Sequence, residues 1–150
     1  MRLIVWMTLF VLMLGGESIA QTDTLPFSNS HFTHIASLRV HYREWPPIGP
    51  EQGRILLIHG FCCNTFSWRN NVQRLQEAGL RVVAIDLPPF GFSDRRSRIN
   101  HSPSLQAQLS WRLLDQIDSL RQPWLLMGHS MGAAVAGAMS VDRPKQSLWR

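Results

Sequence analysis

Three short runs of uninterrupted apolar residues constrain this chain more than any other feature: Ile55-Leu56-Leu57-Ile58, Val82-Val83-Ala84-Ile85 and Trp124-Leu125-Leu126-Met127. A strand with one wet face alternates apolar and polar residues, so a continuous run of four marks a strand covered on both sides. Between the runs the chain takes on a helical period. Trp68, Val72 and Leu75 recur at i, i+4 and i+7, with Gly79 where a helix-ending glycine belongs. Ser102-Pro103 is an N-cap and N1 pair, opening a helix with Leu105, Leu109, Leu113, Ile117 and Leu120 on one face. Met131 to Val141 is small and apolar enough for a helix packed on the sheet. This alternation predicts an α/β fold with a mostly parallel central sheet and flanking helices. Upstream, Phe32 to Ile35 and Leu38 to Trp45 read as two antiparallel strands. In the second, Leu38, Val40 and Tyr42 alternate with Arg39, His41 and Arg43.

The amino end reads as an export signal. Met1-Arg2 supplies one positive charge ahead of an apolar run from Leu3 to Leu14, about a dozen residues and short of the ~20 that span a bilayer. Gly15-Gly16 breaks that run, and Ser18-Ile19-Ala20 places small residues at −3 and −1 of a cleavage site. The expected organisation is a signal peptide over 1–20, an irregular mature start over 21–31, and one domain over 32–150. The expected location is therefore periplasmic or secreted, with an uncleaved N-terminal anchor as the alternative. No other segment is apolar enough to suggest a stable membrane span.

Fifteen basic residues against ten acidic ones give a net charge of +5. The densest basic group is only Arg95, Arg96 and Arg98, which reads as a solvated loop rather than a nucleic-acid footprint. The two cysteines, Cys62 and Cys63, are adjacent, which excludes a disulfide-stapled scaffold and a four-ligand zinc site. They read as two buried free thiols, with a strained vicinal disulfide as the alternative in an oxidising compartment.

In sheets of this kind, reactive groups collect at the carboxyl ends of the strands. Those ends read His59-Gly60-Phe61, Asp86-Leu87-Pro88 and Gly128-His129-Ser130-Met131-Gly132. The last fits G-x-S-x-G, directly after a strand and directly before a helix, the context in which that motif carries meaning. The sharp turn would hold Ser130 in a strained conformation with its hydroxyl exposed. Gly128 and Gly132 lack the Cβ atoms that would collide there, and the new helix aims N–H groups and its positive dipole end at the turn.

Together, His59-Gly60-Phe61, the stretch from Asp86 through Gly91 to Asp94, and Gly128 to Ala133 resemble, in order and spacing, the α/β-hydrolase family. The resemblance runs over roughly residues 32–143. It implies that Ser130 is the nucleophile and that the backbone N–H groups of Phe61 and Met131 form the oxyanion hole. Such a donor is typically worth ~3 kcal/mol. His59 and Gly60 resemble loop-shaping residues, while Gly128, His129 and Gly132 resemble those that shape the elbow. A serine at the nucleophile position argues against the family's epoxide hydrolases and haloalkane dehalogenases. Pro89 stands where the family usually has glycine, and Ala133 replaces a frequent second glycine.

A serine hydroxyl needs a base oriented by a carboxylate, and in this family acid and base follow the serine in the chain. After Ser130 there is one acid, Asp142, on the wrong element for the role, and no histidine; His31, His34, His41, His59, His101 and His129 all precede it. The leading function is an exported serine hydrolase acting on a small-molecule acyl ester with no cofactor or metal, catalytically incomplete as given. The alternatives are a non-catalytic binding or interaction module and an anionic-surface binder through Arg95, Arg96 and Arg98. The fold is expected to break off after the nucleophile helix, with residues 144–150 an approach to the next strand and residues 124–128 left as an apolar sheet edge that invites aggregation. The native product is therefore expected to be longer. Its intact mass should come out at roughly double that of a 130-residue chain, the size of an ordinary single domain of this class; a mass matching residues 21–150 would favour the binding module.

Overall fold

The computed structural model describes residues 25–95, 101–120 and 122–148, so the expected signal peptide lies outside the described residues. Strands β1 (Ser30–Ile35), β2 (Leu38–Trp45), β3 (Gly53–Ile58), β4 (Leu80–Ile85), β5 (Trp124–Gly128) and β6 (Ser147–Leu148) form one sheet in the order β1-β2-β4-β3-β5-β6. The pairs β1–β2 and β2–β4 are antiparallel, whereas β4–β3, β3–β5 and β5–β6 are parallel. Helices α1 (Val72–Glu77), α2 (Pro103–Ile117) and α3 (Met131–Asp142) flank it. This is the expected mostly parallel α/β sheet.

The uninterrupted apolar runs are explained by two cores, one on each face. Along β3, Leu56 and Ile58 enter the larger core with Trp111, Leu113, Leu114, Val135 and Met139 from α2 and α3. Their neighbours Ile55 and Leu57 enter the smaller core with Trp68 and Val72. Along β4, Val83 and Ile85 face the first, Val82 and Ala84 the second. Successive side chains of a strand point to opposite faces, so both must be apolar when helices cover both.

Several local expectations are corrected. The first strand begins at Ser30, inside the segment expected to be irregular up to residue 31. Trp68 belongs to a separate 3-10 turn, Thr65–Trp68, capped by the Asn64 side chain, and α1 starts only at Val72. Gly79, at φ +75°, closes α1 as expected. The buried stripe of α2 is Gln106, Ala107, Ser110, Trp111, Leu113 and Leu114, while Leu105 is exposed and Leu120 lies beyond the helix. Leu113 is buried and Leu109 and Ile117 pack against the same core, so the leucine period marks part of this face and misses its polar members, Gln106 and Ser110. The Ser110 hydroxyl donates to the Gln106 carbonyl at 2.8 Å, and the Gln106 amide donates to Pro88 O at 2.7 Å.

The alternation in β2 also misleads. His41, assigned to the polar face, is fully buried, because β2 is an inner strand between β1 and β4 and the segment after β4 folds over it. The edge of β5 is also not wholly bare. The two-residue β6 pairs Trp124 with Ser147 and Leu125 with Leu148, so only Leu126 to Gly128 lack a partner on that side among the described residues. The expected bare edge is thus half covered. Leu56 is fully buried between β3 and the α2–α3 layer. Leu56→Ala is expected to cost about 2–5 kcal/mol, read as a lower urea midpoint at unchanged denaturant slope.

Candidate active site

β5 ends at Gly128 and α3 starts at Met131, so the chain reverses within His129 and Ser130. Ser130 sits at φ +54°, ψ −119°, a left-handed conformation costly for a residue with a Cβ. Two glycines make the reversal sterically feasible. A Cβ on Gly128 would lie 2.1 Å from Gly132 O, and one on Gly132 would lie 2.1 Å from Ile58 O and 2.6 Å from His59 O. The start of α3 is therefore pressed onto the end of β3. The reversal is tied by His129 N–H to Ile58 O at 3.1 Å, Gly132 N–H to His129 O at 2.9 Å and Ala133 N–H to Ser130 O at 2.9 Å. Ser130 and His129 are exposed. Met131 opens α3, where the helix supplies its N–H with no acceptor.

The end of β3 abuts this elbow. A Cβ on Gly60 would lie 3.3 Å from the Ser130 Cβ and 3.0 Å from the His129 ring. Gly60 to Cys63 form a turn closed by Cys63 N–H to Gly60 O at 3.2 Å, with Cys62 at φ +55°. Phe61, 68% exposed, stands on this turn. The structure therefore brings the expected residues Gly60, Phe61, Gly128, His129, Ser130, Met131 and Gly132 to the carboxyl ends of β3 and β5.

His59 is a buried strut beneath the turn. Its Nε2 accepts from Leu87 N–H at 3.0 Å, which leaves Nδ1–H to donate to Gly60 O at 2.7 Å. The ring thus bridges the ends of β3 and β4. Burial pushes its pKa below the ordinary 6.5, against a raising pull from the Gly60 hydrogen bond and Asp86.

Asp86 is the hub of the second strand end. It is fully buried; Oδ2 accepts from His41 Nδ1 at 2.8 Å and from Phe92 N–H at 2.9 Å, and Oδ1 accepts from Thr65 N–H at 2.6 Å. Burial alone would raise its pKa, but these hydrogen bonds outweigh it and hold the carboxyl below its usual value. His41 Nε2 meets the Ser30 hydroxyl at 2.8 Å. Gly91 is required here, since its Cβ would fall 2.1 Å from Asp86 Oδ2. The Ser30–His41–Asp86 chain has the order of a hydrolytic triad, yet all three residues are buried. It holds the loop after β4 rather than facing solvent. Sequence reasoning marked Asp86 at a strand end but missed its partners His41 and Ser30, which only the pairing of β2 with β4 brings to it. The Pro88–Pro89 peptide is cis, and Phe90 N–H to Leu87 O at 2.8 Å closes that turn.

Among the described residues, no histidine or carboxylate is hydrogen-bonded to the Ser130 hydroxyl. Asp142 is the last residue of α3, a helix length from the elbow. Arg96 and Arg98 lie outside the described residues, and Arg95 donates to Gly91 O at 2.9 Å.

A strained serine between two obligatory glycines, at the end of a strand in a sheet of this order, defines an α/β-hydrolase elbow. The family model described as the alpha/beta hydrolase fold matches residues 53–146, and the chain belongs to that family. It is 30% identical over 142 residues to an abhydrolase domain-containing protein of Caenorhabditis elegans, covering 89% of this chain and 29% of that protein. It is 29% identical over 113 residues to a 2-hydroxy-6-oxononadienedioate/2-hydroxy-6-oxononatrienedioate hydrolase of Escherichia coli, covering 73% of this chain and 38% of the enzyme. Among solved structures it resembles the thioesterase domain from the curacin biosynthetic pathway. That match has a TM-score of 0.69 and 30% identity over 79% of this chain and 41% of that one. The chain thus spans less than half the length of each of these relatives.

The neutral, buried His59 gives a pH signature. The unfolded chain binds the proton first, so the stability from this ring is complete above about pH 6.5 and is lost as pH falls below that value. Denaturant stability is expected to decline as pH falls below 6.5, with the His59 ring titrating, by NMR, below that ordinary value. The Asp86 contribution, with its depressed pKa, is lost only at still lower pH, below the ordinary 3.8.

Proposed function

We propose that this chain carries the nucleophile part of a serine hydrolase acting on an ester-type carboxylic acyl substrate through an acyl-enzyme at Ser130. The observation that carries this reading is the left-handed, exposed Ser130 held between Gly128 and Gly132. Strain at one solvent-facing serine, stabilised by the packing around it, is what a presented nucleophile requires. In this reading the Ser130 hydroxyl attacks the substrate carbonyl, and the N–H groups of Phe61 and Met131 receive the developing negative charge. The positive end of α3 points the same way. The 30% identity to a thioesterase domain supports an acyl substrate. Neither a cofactor nor a metal is needed for such chemistry. The proton acceptor and its carboxylate would come from outside the elbow described here.

Export is part of the proposal and rests on the leader read over 1–20; among the described residues, no helix is long and apolar enough to cross a membrane. The second reading is a non-catalytic module of the same fold, and the observation favouring it is the unaccompanied Ser130 hydroxyl. A fluorophosphonate probe applied to the native product, isolated from the extracellular fraction, separates the two. The proposal expects one label on Ser130, abolished by Ser130→Ala, on a chain whose first residue is Gln21. Absence of label on folded product sinks the catalytic reading.

A further inference from the structure

Between the turn after β3 and the loop after β4 lies an open cavity of about 360 Å³ lined by both cysteines together with Phe90, Phe92 and Arg95. Consecutive side chains of an extended strand point to opposite sides. Here both line one cavity, because Cys62 takes φ +55° in the turn closed by Cys63 N–H and Gly60 O. Glycine would adopt that conformation freely, so a cysteine there carries a conformational cost for a thiol placed in the open. Both thiols are free, but not buried as the sequence suggested: Cys62 is exposed and Cys63 half-buried, because the turn lifts them off the end of β3. Phe90 connects the cavity to the end of β3, whose turn abuts the elbow at Gly60. Its ring is shared between the cavity wall, an edge contact to Phe61 at 5.3 Å and another to His59 at 5.8 Å.

We infer that Cys62 and Cys63 form a thiol-exchange site for an anionic low-molecular-weight disulfide, and that its oxidation closes the neighbouring serine site. The second clause rests on the role proposed for Ser130. Cys62, the exposed thiol, attacks one sulfur of the disulfide; the S–S bond breaks, a Cys62 mixed disulfide forms, and the other half leaves as a thiol with the Cys62 proton. Cys63 then attacks the Cys62 sulfur, and the second half leaves as a thiol with the Cys63 proton. The net exchange is two hydrogens and two electrons from the cysteine pair to one disulfide, which departs as two thiols. The Arg95 guanidinium on the cavity wall suits a carboxylate-bearing reagent. Adjacent Cα atoms stand about 3.8 Å apart, closer than the usual disulfide span. The closed form is therefore strained and easily reduced, as a reversible device needs to be. Either oxidised form alters the turn that carries the Phe61 N–H.

The probe is glutathione disulfide, added to the folded full-length product and followed by intact mass and peptide mapping. The expected sequence is one glutathione on Cys62, then its loss with a net loss of two hydrogens. In Cys63→Ser the Cys62 adduct should accumulate. In Cys62→Gly, whose glycine relieves the positive φ and keeps the fold, Cys63 should stay unmodified. Two results overturn the exchange site: thiols that react only after unfolding, or an adduct equally persistent in wild type and Cys63→Ser. Fluorophosphonate labelling of Ser130 should fall at least tenfold on oxidation and return with dithiothreitol. Labelling unchanged by oxidation overturns the closure, whereas no labelling even of reduced protein counts against the Ser130 role and leaves the mass result standing.

Discussion

Gly132, at the start of α3, is pressed so closely onto the carbonyls of Ile58 and His59 at the end of β3 that no Cβ would fit there. Everything near the site depends on it. A helix can leave a strand this sharply only if its first turn sits almost on the neighbouring strand, so side chains are excluded at Gly132 and, through the same packing, at Gly128. The residue between them absorbs the conformational cost. Ser130 is left in a left-handed conformation with its hydroxyl in solvent, and Gly60 must also be small to let the β3 turn come alongside.

The scaffold beneath this contact is a sheet with two faces of unequal weight. The larger core joins β2, β3 and β4 to α2 and α3, and the indole of Trp111 adds a hydrogen bond to Met139 O at 3.0 Å, fixing α2 to the helix that carries the serine. The smaller core under Trp68 and Val72 covers the opposite face. Between the strand ends, two buried polar groups replace apolar packing. His59 ties the β3 turn to Leu87, and Asp86 gathers the N–H groups of Thr65 and Phe92 with the ring of His41. A buried polar atom is costly when left unsatisfied, and these groups satisfy one another across three loops that would otherwise be independent.

The cysteine turn belongs to the same framework. The residues that could shape an oxyanion site and those that could exchange a disulfide share four consecutive positions, Gly60 to Cys63, and share Phe90 as a wall. A change of covalent state there has a short mechanical path to the elbow, through one turn and one aromatic ring.

Much of this was legible in the sequence because it depends on local order. Apolar runs of four specified strands covered on both faces, Gly79 and Ser102-Pro103 marked helix ends, and the G-x-S-x-G between a strand and a helix marked the elbow. Those signals are written in neighbouring residues, where spacing alone fixes which atoms can coexist. The burial of His41, the polar stripe on α2, the break between Trp68 and α1, and the pairing of β6 with β5 were decided by tertiary structure. Each turns on what a distant segment places opposite: the Asp86 carboxyl for His41, Pro88 O for Gln106, and the first residues of β5 for Ser147 and Leu148. Periodicity reports which face of an element is apolar, but whether a polar side chain on that face is buried depends on a partner many residues away, and only the folded chain supplies it.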